Sequence, residues 1–207
     1  MKADEINLIV AEDHTLVRQG MLLVLSREPT MRVLAEVGDG KAAWRQTLEL
    51  RPDVLILDLG MPGLDGLDLM RLLAAHELRT RILVVTARQD ASSVRAALAR
   101  GAHGYLLKSD DADALVKAIH AVAGGGYYVS PELAGVVGSE HDAEATSLTV
   151  REREIACAVA RGLSSKQIGA ELDISEHTVR KHRENIARKL GLHNPAELVA
   201  WAIRHYL

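Results

Sequence analysis

The chain has 207 residues, 48% of them hydrophobic and 26% charged, which excludes disordered and fibrous classes and suits two small domains that each bury a core. No apolar run approaches the roughly 18 residues that span a bilayer, and Met1-Lys2-Ala3-Asp4-Glu5 carries acids where a signal peptide carries bases. A cytoplasmic protein without a membrane partner is therefore expected, and the single Cys157 excludes internal disulfides and multi-cysteine metal sites.

Five short runs of branched apolar residues predict strands: Ile6 to Val10, Val33 to Val37, Val54 to Leu57, Ile82 to Val85 and Gly104 to Leu107. Between them, and after the last, residues 14–27, 40–50, 66–77, 90–101 and 111–123 repeat their apolar positions every three or four residues, as helices do. This (βα)5 alternation predicts an α/β, doubly wound parallel sheet covered on both faces, with its functional groups at the carboxyl ends of the strands. The reading assigns residues 1–123 to this domain. Gly124-Gly125-Gly126 and the polar, acidic stretch up to Ser147 predict a linker over 124–147.

From Leu148 the strand pattern stops. Helices are expected at 149–161, 165–172, 176–190 and 195–206, so that 148–207 forms an all-α four-helix domain. Thr149 with Glu152, Ser164, Ser175, and Asn194 before Pro195 supply their starts. The charge follows this division. Residues 1–123 carry a net −2, 124–146 have four acids and no base, and 147–207 carry a net +3, the local positive charge that a nucleic-acid surface needs.

Glu12-Asp13 follows the first strand and Asp58 closes the third. Three carboxylates at neighbouring strand ends repel unless a cation joins them, and an all-oxygen set suits Mg²⁺. Thr86 and Lys108 end strands four and five at the same edge. Each residue alone fits a helix cap or a solvated strand end; together they make one coherent set.

At these residues the chain resembles the receiver domains of response regulators, with Asp58-Leu59-Gly60-Met61-Pro62-Gly63 the most specific stretch. The resemblance implies a flavodoxin-like fold, Asp58 as phosphoacceptor, and Glu12, Asp13, Asp58 and the Gly60 carbonyl as Mg²⁺ ligands. It also implies that Lys108 and Thr86 contact the phosphoryl group. Tyr105 is placed to act as the switch aromatic, or equally to sit half-buried with its hydroxyl in water. Many receivers have proline after this lysine; here Ser109 follows, leaving the isomer of the Lys108-Ser109 bond open.

Ser164 to Leu172, the turn at Asp173-Ile174-Ser175, and Glu176 to Leu190 make a helix-turn-helix pattern. Through Leu148-Thr149-Val150-Arg151-Glu152-Arg153-Glu154, Lys166-Gln167-Ile168-Gly169 and Ser175-Glu176-His177-Thr178-Val179-Arg180-Lys181-His182 the tail resembles the LuxR-type domains of NarL/FixJ-class regulators. That resemblance implies contacts to double-stranded promoter DNA from Lys166, Thr178, Arg180, Lys181, His182, Glu184 and Arg188. Glu184 departs from the usual basic or small residue: it accepts from cytosine, repels phosphate, or pairs with Arg180 or Lys181.

The last helix carries more apolar surface than a three-helix motif requires, which would suit pairing with a second copy. Altogether the resemblance implies a transcription factor phosphorylated by a sensor histidine kinase and a homodimer when active. Its only chemistry would be Mg²⁺-assisted self-phosphorylation and self-dephosphorylation. A phosphohydrolase would need a second acid–base arrangement and a substrate cap, which the sequence lacks; a regulator independent of phosphorylation would not need the complete residue set.

Overall fold

The computed structural model of the chain describes residues 5–76, 78–133 and 148–206. Strands and helices alternate through the first half: β1 (Ile6–Ala11), α1 (Thr15–Leu25), β2 (Met31–Val37), α2 (Gly40–Leu50), β3 (Val54–Leu57), α3 (Gly66–Ala74), β4 (Arg81–Thr86), α4 (Ala91–Ala99), β5 (Gly104–Leu107) and α5 (Ala112–Ala123). A sixth strand, β6 (Tyr128–Val129), follows. All neighbours pair in parallel in the order β2-β1-β3-β4-β5-β6.

Alternation along each strand divides the core. Ile9, Leu55, Leu57, Val84 and Leu107 face one side with Ala43 of α2, Leu69 and Met70 of α3 and Val94 of α4. Leu8, Val10, Ile56, Leu83 and Val85 face the other with Met21 of α1 and Ile119 of α5. Burial on both faces explains why these strands read as continuous apolar runs. Because the chain winds outward in both directions from between β1 and β3, a crevice opens where those two strands end.

Four helices begin on an aspartate whose side chain accepts a backbone N–H: Asp39, Asp65, Asp90 and Asp111 start α2, α3, α4 and α5. His14 stands before α1 but makes no such cap. Its imidazole is free to turn elsewhere.

In the helical half lie α6 (Val150–Ala160), α7 (Ser165–Leu172), α8 (Glu176–Leu190) and α9 (Pro195–Tyr206). Thr149 with Glu152 and Ser164 with Gln167 form capping boxes, and Ser175 accepts from the Thr178 N–H. Asp173, with φ of 53°, makes the left-handed turn between α7 and α8.

Three departures from the sequence pattern have physical reasons. β2 starts two residues early, at Met31, because that edge pairs with Ile6. Residues 128–129 of the predicted linker form β6, too short for a visible period, and Pro131–Leu133 add one turn of 3-10 helix; residues 134–147 lie outside the described residues. The apolar face of α9, which the sequence offered to a second copy, is covered by its own chain: Leu198, Val199, Trp201 and Ala202 are buried, and α9 packs on α6, α8, β6 and the 3-10 turn.

The crevice depends on α3 lying hard against the end of β3. A Cβ on Gly66 would sit 2.7 Å from the Asp58 carbonyl oxygen and 2.8 Å from Leu59 Cα, whereas one on Gly20 in α1 would meet nothing. Gly66→Ala should lower stability by about 1–3 kcal/mol, and Gly20→Ala should raise it by about 0.5–1 kcal/mol. Urea denaturation followed by circular dichroism reads the two opposite shifts.

Candidate functional site

Glu12 and Asp13 continue from β1, Asp58 from β3 and Lys108 from β5, while Thr86 ends β4. Adjacent parallel strands bring these positions to one edge. The Lys108 ammonium donates to Asp58 Oδ2 at 2.9 Å and to Glu12 Oε1 at 2.8 Å. Glu12 and Asp58 are 1% and 4% exposed, so the ammonium lies between two carboxylates with almost no water to screen them. Burial alone would lower its proton affinity, but the hydrogen bonds and charges of Glu12 and Asp58 outweigh this and raise it.

One lysine does not balance the pocket. Ligand atoms of Glu12, Asp13, Asp58 and His14 lie within 4.8 Å of one another. Glu12 Oε2 and Asp13 Oδ1 are buried without a hydrogen bond. The ammonium and the imidazole stand 2.8 Å from these oxygens, yet one ammonium and one imidazole face three carboxylates, and such an acidic cluster fits a hard divalent cation. Gly60 lies at the rim, where a Cβ would come 3.8 Å from Asp58 Oδ2.

The sequence reading missed His14. Its backbone N–H donates to Glu12 Oε1 at 2.9 Å and its Nδ1 lies 3.0 Å from the same oxygen. That hydrogen bond, then the charge of Asp13, raises the imidazole above its ordinary range. Adjacency to Glu12-Asp13 was the available signal.

Among the described residues no peptide bond is cis, so Lys108-Ser109 is trans and the lysine loop is held by other means. The Lys108 N–H donates to the Thr86 carbonyl at 3.0 Å. The Leu107 N–H is shared between Asp110 Oδ2 and Ser130 Oγ, each at 3.0 Å, and Ser130 Oγ donates to Asp110 in turn. Ser130 is fully buried. No sequence pattern marked Ser130 or Asp110, because the tie joins residues on either side of α5.

Thr86 is buried, and its Oγ1 accepts from the Arg88 N–H at 3.3 Å. Of the two placements open for Tyr105, the ring takes the inner one: it is 0% exposed, and its hydroxyl donates to the Arg88 carbonyl at 3.0 Å. Burial pushes its phenol well above the ordinary range. Thr86 and Tyr105 thus both bond the backbone of Arg88.

On the helical half, Lys166, Lys181 and Arg188 are exposed. Exposed Arg180 pairs with Glu176 one turn earlier, and Arg188 bonds Asn185. Thr178 is half-buried with its hydroxyl 2.8 Å from Ser175 Oγ, and half-buried His182 has an Nδ1 without a partner. Glu184 is exposed and forms an ion pair with neither Arg180 nor Lys181 among the described residues. The pairing option for Glu184 is therefore not the one adopted.

This surface does not stand clear of the sheet domain. Arg81 donates to the Gly126 carbonyl at 2.9 Å. A Cβ on Gly126 would strike the Gly162 carbonyl oxygen, before α7, at 2.7 Å. Arg180, Arg183 and Glu184 of α8 share a cleft with Arg81 and Tyr127. Sequence periodicity could not disclose this contact, since it joins two separately patterned halves.

Two family models match the chain. Residues 8–120 match the response regulator receiver domain, and residues 146–202 match the bacterial regulatory proteins of the luxR family. The nitrate/nitrite response regulator protein homolog of Haemophilus influenzae is 36% identical over 193 residues, covering 92% of this chain and 93% of that protein. The nitrate/nitrite response regulator protein NarL of Escherichia coli K12 is 34% identical over 201 residues, covering 94% and 93%. Among solved structures, the RcsB–DNA complex of a two-component response regulator aligns with a TM-score of 0.61 at 25% identity, covering 97% of this chain and 99% of that one.

Replacing Lys108 with Met should leave the buried carboxylates uncompensated and cost about 3 kcal/mol at neutral pH without divalent cations. Added Mg²⁺ should restore more stability to this variant than to the wild type, because the cation then meets an unneutralised cluster. Thermal melts with and without MgCl₂ check both effects.

Proposed function

The chain belongs to the response regulators that join a receiver domain to a LuxR-family DNA-binding domain, and on that premise we propose that phosphorylation of Asp58 controls DNA binding by residues 148–207. It is a two-component response regulator and transcription factor rather than an enzyme turning over an external substrate. The observation that carries the assignment of Asp58 is its carboxylate, 4% exposed and 2.9 Å from the Lys108 ammonium within the acidic cluster.

An Asp58 oxygen attacks the phosphorus of a phosphohistidine on a sensor kinase, or of a small phosphodonor, and the bond from phosphorus to the donor breaks. Glu12, Asp13, Asp58 and the Gly60 carbonyl would hold Mg²⁺, which supplies positive charge to the equatorial phosphoryl oxygens. Lys108 shifts from the bare carboxylate to those oxygens. The Thr86 hydroxyl donates to the new phosphoryl group, and Tyr105 beside it reports the change to the neighbouring surface. The same pocket carries self-phosphorylation and self-dephosphorylation.

In the helical domain, Arg180, Lys181 and Glu184 face base edges or phosphate from α8, with Thr178, His182 and Arg188 along the same helix and Lys166 holding phosphate from α7. Two copies would set two recognition helices about one DNA turn apart. A solved RcsB–DNA complex covering 97% of this chain supports the DNA reading. The intramolecular cover of α9 and the cleft around Arg183 describe a resting form that must open before α8 lies along a groove. Among the described residues no helix is long and apolar enough to cross a membrane, and the cytoplasm is the proposed location.

Incubation with Mg²⁺ and a small phosphodonor, followed by intact-mass measurement and a mobility-shift assay, tests the proposal. Wild type should gain one phosphoryl group and bind promoter DNA more tightly, while Asp58→Asn gains neither. Equal phosphoryl uptake by both proteins would move the acceptor to another residue.

A further inference from the structure

The cleft between the two domains encloses about 370 Å³ and is lined by Arg81 and Tyr127 on one side and Ser165, Arg180, Arg183 and Glu184 on the other. Among the described residues two of these cations form no ion pair, although the Glu184 carboxylate lines the same cleft. Arg81 lies with its guanidinium 5.5 Å from the Tyr127 ring centroid and donates through Nη2 to Gly126. Its Nε is buried without a hydrogen bond. Among the described residues Arg183 bonds only the Ser165 hydroxyl, at 3.3 Å.

Among the described residues, carboxylates pair with Arg88, Arg151, Arg161 and Arg180, but with neither Arg81 nor Arg183. Burial lowers the proton affinity of both guanidiniums, and the charge of Arg81 lowers that of Arg183 further. Two half-buried like charges facing one cavity repel, and Glu184, which lines the same cleft, forms an ion pair with neither among the described residues. Each guanidinium can take a phosphate oxygen, so one on either wall of the cleft matches a ligand with two such groups.

We propose that this cleft binds a small polyanion of the diphosphate class, bridging Arg81 of the receiver domain to Arg183 and Ser165 of the DNA-binding domain. Bound there, the ligand holds the domains together. Its effect on DNA rests on the reading of α8 as the recognition helix: because Arg180 and Arg183 belong to that helix, the polyanion and the duplex draw on the same cations. The ligand thus opposes DNA binding from a site remote from Asp58.

Calorimetric titration of the full chain with sodium pyrophosphate in Mg²⁺-free buffer tests the site directly. Binding to wild type should weaken about tenfold in Arg81→Gln, which removes a cation from the receiver side only. Arg81→Lys, which keeps the charge without the guanidinium, should fall between. At matched ionic strength, pyrophosphate should reduce DNA affinity in wild type more than in Arg81→Gln.

No binding by wild type, or equal binding by all three proteins, would overturn the proposal. So would an equal loss of DNA affinity in wild type and Arg81→Gln, since the anion would then merely compete along α8. Should Arg81→Gln fail to fold in a thermal melt, the comparison with Arg81→Lys decides. If no protein binds DNA, the titration still decides the anion site, which separates its failure from failure of the DNA reading.

Discussion

One ammonium among three carboxylates governs the receiver half. Lys108 reaches Glu12 and Asp58 in a pocket where both acids are almost fully buried, and charges at that depth are tolerated only when paired. The pairing is incomplete, since buried oxygens of Glu12 and Asp13 remain without hydrogen bonds. The cluster therefore has an unmet demand for positive charge, and the strand order that brings β1, β3 and β5 to one edge creates that demand. The fold and the chemistry have the same cause.

The lysine is held from outside the usual local geometry. Ser109 follows it, the bond is trans, and the loop is closed instead by Asp110 and the buried Ser130. Ser130 comes directly after β6, whose Val129 pairs with Tyr105. Val129 and Leu133 join the apolar cluster that includes Trp201 and Ile203 of α9. Hydrogen bonds and packing thus run without a gap from the pocket loop to the helix that closes the DNA-binding domain. Residues 128–129 of the expected linker are a strand of the receiver sheet.

Much of this was legible before any coordinates. Apolar runs buried on both faces gave five strands their positions, the period of the helices followed from one-sided burial, and strand ends put Glu12, Asp13, Asp58, Thr86 and Lys108 together. What stayed hidden was long-range and short in sequence. β6 has two residues and no period, Ser130 acts across α5, and nothing in the pattern marked His14 or Arg81. The apolar excess of α9 was visible, but not that β6 and the 3-10 turn would cover part of it. Patterns report which face of an element is buried; they do not report what buries it.

The charge distribution does not by itself explain where the two halves meet. The DNA-binding domain has a net positive charge and the receiver a net negative one, yet the contact around Arg81 and Arg183 brings cation towards cation. Opposite net charges favour association at long range, where individual side chains are not resolved. At close range the local pairing decides, and among the described residues neither Arg81 nor Arg183 has a carboxylate partner. Apolar packing of α9 against β6 and the 3-10 turn therefore bears the association, while the arginine cleft works against it.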